Sequence, residues 1–76
     1  MMGSNIDTLK HILASNTIDN EDLIEEFVKE AEDGDKDKAA AIDRFFMNSP
    51  SSNPFDAGLT YYDLLQHYED IQDEAD

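Results

Sequence analysis

Between Asp19 and Gly34 the apolar residues fall at Leu23, Ile24, Phe27, Val28 and Ala31, the three- and four-residue intervals of one helix face. No other feature of the chain limits its fold as strongly. Asp19 is placed to cap this helix, Ile18 and Leu23 to staple across its first turn, and Gly34 to stop it. The same period recurs on both sides. Ile6, Leu9, Ile12 and Leu13 mark a first helix, capped by Ser4 or Asn5, with Asp7 three residues after Ser4, and ended by a left-handed Asn16. Ala39, Ile42, Phe45 and Phe46 mark a third, from about Asp37 to Met47. Ser49-Pro50 closes it, because the residue before a proline is pushed out of helical geometry.

Tyr61, Leu64, Leu65, Tyr68 and Ile71 mark a fourth helix, with Thr60 as cap, Asp63 three residues on, and Leu59 stapled onto Leu64. Residues 48–58 are dense in turn formers and read as a loop that packs Phe55 back onto the helices. Strand-like alternation competes nowhere. The expectation is an all-α fold, a small bundle of three to four short helices. Residues 1–72 form one domain after a ragged start at Met1 to Ser4, and residues 73–76 an acidic tail. Seventy-six residues suffice for one domain and not two.

Nineteen Asp and Glu stand against five Lys and Arg, a formal charge of −14 with a sequence pI near 4.1. Phosphates and anionic membrane surfaces would be repelled, which excludes direct nucleic-acid and membrane binding. Without Cys there is no disulfide framework and no thiolate metal site or nucleophile. The apolar runs are too short for a membrane span, so a cytoplasmic setting is expected. Such acidity with few aromatics would signal disorder, but 39% of the residues are hydrophobic and they fall in helical phase. A folded domain of small stability margin follows, with a homodimer as one way to support it.

The charge is concentrated. Residues 19–35 hold nine acids and one base, Lys29, for a net −8, and residues 63–76 hold six acids and no base, for −6. The other 45 residues balance, with four of each sign. On a helical wheel the carboxylates of the second helix cover the half opposite its apolar stripe. Eight charges over roughly 25 Å give about one per 3 Å, against about one phosphate per 3.4 Å of a DNA strand. Like charges at i and i+4, such as Glu21–Glu25, Asp22–Glu26 and Glu26–Glu30, destabilise a helix by a few tenths of a kcal/mol each. A face needing only solubility would interleave Lys.

In this character, though in no alignable motif, the chain resembles the small acidic DNA-mimic proteins that phages and mobile elements use against host DNA-binding proteins. The resemblance implies an inhibitor whose partner is a basic DNA-binding protein of the host, such as a nucleoid protein, nuclease, glycosylase or clamp. Glu21, Asp22, Glu25, Glu26, Glu30 and Asp33 of the second helix would meet its Lys and Arg, joined by Asp63, Glu69, Asp70 and Asp73 of the fourth. Tyr62, about 120° from the centre of the apolar stripe and beside Glu69, suits an interface anchor. The rival reading is a helical adaptor or antitoxin-like module binding through an apolar groove around Phe45, Phe46, Phe55 and Tyr62. The bland reading is a solvated acidic face.

Other chemistry finds little support. Asp33, Asp35 and Asp37 match positions 1, 3 and 5 of a calcium loop, but Lys38 and Arg44 stand where it needs Gly and Glu, so helix termination and capping by Asp35 or Asp37 explain the segment. No serine follows Asp56, as a phosphopantetheine carrier would require. His11 and His67 lie off the apolar stripes without a second His at i+4. No phosphate loop or nucleophile motif occurs. The expectation is a protein with no catalytic activity, metal or cofactor.

Overall fold

The computed structural model of the protein describes residues 5–75. They form four α-helices and, among them, no strand: α1 (Asn5–Ser15), α2 (Glu21–Glu32), α3 (Lys36–Met47) and α4 (Tyr61–Ala75). The helical bundle expected from periodicity is the fold observed. Helix α3 is its centre and packs on each of the other three, most extensively on α4. Residues 73–75, expected as a tail, continue α4, and Ser4 and Asp76 lie outside the described residues.

The α2–α3 corner shows how local chemistry sets direction. Gly34 takes φ 118°, its N–H donates to the Ala31 carbonyl (3.3 Å), and the Asp35 N–H donates to that of Glu30 (3.1 Å). This is a Schellman stop, and a side chain at that φ would be strained. One residue later the Asp35 carboxylate accepts from the Lys38 N–H at 3.1 Å and caps α3. The Asp-rich segment thus ends one helix and begins the next.

Two terminus expectations are corrected. Helix α2 is preceded by Asn20, not Asp19, and Asn20 is left-handed (φ 61°) with no side-chain cap bond. Leu23 is 47% exposed, at the edge of the apolar stripe. Asn16 is not left-handed; its side-chain amide donates to the Ile12 carbonyl (3.0 Å), as Asn48 does to Arg44 (2.9 Å) at the end of α3. Each of these carbonyls also accepts the backbone N–H of the same Asn, so the amide adds a second bond at the helix end without any reversal of φ.

Leu9, Ile24, Ile42, Phe45 and Leu64 are fully buried, and Phe27, Val28, Ala31, Ala41 and Ile71 complete the centre with Leu13. The loop seals one side of it. Pro54 is wholly buried, and Phe55 meets Phe45 edge-on with centroids 5.5 Å apart. Phe45 therefore belongs to the core, and the groove imagined around Phe45, Phe46 and Phe55 is filled by their mutual packing.

Candidate functional site: an acidic valley between α2 and α4

At about 100° per residue, the buried residues of α2 centre on one side and its acids fan over the other half. The fold divides that fan. Glu21, Glu25 and Glu32 turn toward α1, where they rim a groove of about 650 Å³ floored by Leu13 and Val28. Glu26 and Glu30 turn the other way, toward α4. Asp22 and Asp33 point outward between them, around Lys29.

On the α4 side a smaller groove of about 140 Å³ is lined by Leu23, Glu26, Phe27, Glu30, Lys38 and Tyr61. Its floor is aromatic. Phe27 meets Tyr68 edge-on at 5.7 Å, and the Lys38 ammonium lies over both rings, 5.4 and 5.5 Å from their centroids, while pairing with Glu30. Tyr61 closes the far end and holds Tyr62 against itself at 5.7 Å. Tyr62 is 65% exposed, and on the same wheel Glu69 and Asp73 follow it along the outward stripe of α4.

The remaining acids of α4 have other work. Asp63 accepts from the Thr60 N–H at 2.8 Å, while the Thr60 hydroxyl accepts from the Tyr62 N–H at 3.2 Å; this reciprocal box orients the first turn and hence both tyrosines. Asp70 accepts from Gln66 and lies on the side facing Arg44, whose guanidinium it helps to keep protonated. The groove thus brings Glu26 and Glu30 of α2 together with Tyr61 of α4, against which Tyr62 packs, while Asp63, Glu69, Asp70 and Asp73 do not line it. Leu23, Tyr61 and Lys38 belong to the site although their positions alone did not single them out.

Three of the five cations are held within the molecule. Lys10 pairs with Glu32 at 2.8 Å, Lys38 with Glu30, and Arg44 with both oxygens of Glu74 at 2.7 and 3.0 Å. Hydrogen bonding to those carboxylates raises the Lys10 and Arg44 pKa values, and the Arg44 bond lowers that of Glu74 from its ordinary 4.5. Among the described residues only Lys29 and Lys36 are in no ion pair, and of these Lys29 alone stands among the outward acids of α2.

His11 is exposed and His67 half-buried, and among the described residues no three of His, Asp and Glu stand close enough to hold a metal ion. No helix among them is long and apolar enough to cross a membrane. What fold and site define is a small four-helix protein with a groove between an acidic helix and a tyrosine-bearing one. Compared with known proteins, the chain matches no family model, and neither a curated protein nor a solved structure is similar to it.

Proposed function

We propose that the protein is a non-catalytic inhibitor that binds the basic, nucleic-acid-binding surface of a host DNA-binding protein and blocks access of DNA. In this reading it is encoded by a phage or mobile element and acts in the cytoplasm. The observation that carries it is the outward half of α2. Asp22, Glu25 and Glu26 are exposed there with Lys29 as their sole cation, while Lys10 and Lys38 are drawn into pairs with Glu32 and Glu30. Exposed carboxylates along one helix offer Lys and Arg negative charges such as the phosphates of a DNA strand offer. The free energy of binding is mostly electrostatic, so association is fast at low salt and falls steeply as salt rises.

Charge reversal of Asp22, Glu25 and Glu26 to Lys tests this without disturbing Glu30 or Glu32, which pair within the fold. The triple variant is expected to keep its helicity and lose the partner. Full partner binding by a folded triple variant would overturn the proposal.

A further inference from the structure

We propose that the valley between α2 and the start of α4 is the anchoring site for an arginine-bearing segment of the protein partner, an inference that rests on the mimicry reading and locates its centre. The groove holds about 140 Å³, less than the few hundred Å³ of a small-molecule site and close to the bulk of one long side chain. Its rim carries Leu23, 47% exposed, and beside it Tyr62, 65% exposed, packs edge-on against the lining Tyr61.

The fold already contains a filled example of the same arrangement. Lys38 sits over the Phe27 and Tyr68 rings with the Glu30 carboxylate as its ion partner. One turn earlier along α2, Glu26 is exposed and, among the described residues, in no ion pair, with the Tyr61–Tyr62 ring pair on the α4 side of the groove. Rings and carboxylate are present there; the cation is to be supplied from outside. Charge complementarity selects a basic side chain, and two features select arginine over lysine. Its planar guanidinium stacks on an aromatic face and pairs with a carboxylate in two prongs, and its methylene stem covers Leu23.

The test titrates the full chain with octa-arginine and with octa-lysine at low salt, in wild type, Tyr62→Ala, Leu23→Ala and, as a control on α3, Met47→Ala, which is 80% exposed away from the valley. Arginine is expected to bind more tightly than lysine in wild type and Met47→Ala. That advantage is expected to shrink about fivefold in Tyr62→Ala and to fall in Leu23→Ala. An arginine advantage that survives Tyr62→Ala unchanged would overturn the anchoring site and leave the acidic-face reading standing. Failure of wild type to bind either peptide would overturn both.

Discussion

Arg44 of α3 grips Glu74 of α4 through two parallel hydrogen bonds of 2.7 and 3.0 Å, thirty positions apart in sequence. The pair ties the last turn of α4, which is helical to Ala75, to the central helix. Six acids and no base in residues 63–76 repel one another along that helix.

That pair has a pH signature. The folded-state pKa of Glu74 is lowered from 4.5 by Arg44, so its contribution is complete above 4.5 and is lost as pH falls through the lowered value. The melting-temperature difference between wild type and Glu74→Gln should therefore be present at pH 7 and vanish in the acid range below 4.5. Taking the difference removes the opposing gain from relief of general self-repulsion, which both proteins share. Amide exchange over residues 70–75 should be faster in the variant at pH 7.

Thr60→Ala removes the hydroxyl that accepts from the Tyr62 N–H. Loss of an N-cap of this kind costs about 1 kcal/mol, a fall in melting temperature of roughly 4–8 °C for a domain of this size. Calorimetry reads the stability. Because the box also orients the first turn, the Tyr61 and Tyr62 ring resonances should shift.

Gly34→Ala places a side chain at φ 118° in otherwise open space. The penalty is thus one of backbone conformation alone, about 1–2 kcal/mol, and it should appear in urea denaturation as a lower midpoint with an unchanged slope.

Phe45→Ala empties the position where α3 meets the loop through Phe55. Truncation of a buried Phe costs about 3–5 kcal/mol, comparable with the whole stability of so small a domain. Far-ultraviolet circular dichroism should report loss of helix at 25 °C.

The helices were legible in the sequence because each buried face repeats at helical spacing. Ile24, Phe27, Val28 and Ala31 are buried as their spacing requires, and Thr60 with Asp63 forms the expected box. Legibility failed where tertiary geometry decides between local options. Leu23 has the right spacing for the stripe, but it sits at the stripe's edge, where the α2–α4 valley leaves it in solvent. The left-handed residue is Asn20 and not the expected Asn16, since either tolerates that conformation and local chemistry does not choose between them.

The acidic site was legible as composition and not as shape. Glu26, Glu30 and Glu69 read alike in the sequence. Only the packing of α2 and α4 on α3 brings Phe27 to Tyr68 and draws Lys38 of α3 over both rings beside Glu30. Phe45 and Phe46 on the inward stripe and Phe55 as an anchor from the loop were legible, and they pack on one another, which leaves no room for the apolar groove of the rival reading.

The central claim is that the acidic surface substitutes for DNA, and affinity capture from a bacterial lysate tests it most directly. The tagged protein serves as bait, with and without excess duplex DNA and across a salt series. The account predicts basic, DNA-binding prey that is released by duplex DNA and by moderate salt, and that the Asp22, Glu25 and Glu26 reversal fails to retain. Prey that stays bound through duplex DNA and high salt, and that the reversal variant retains, would contradict it.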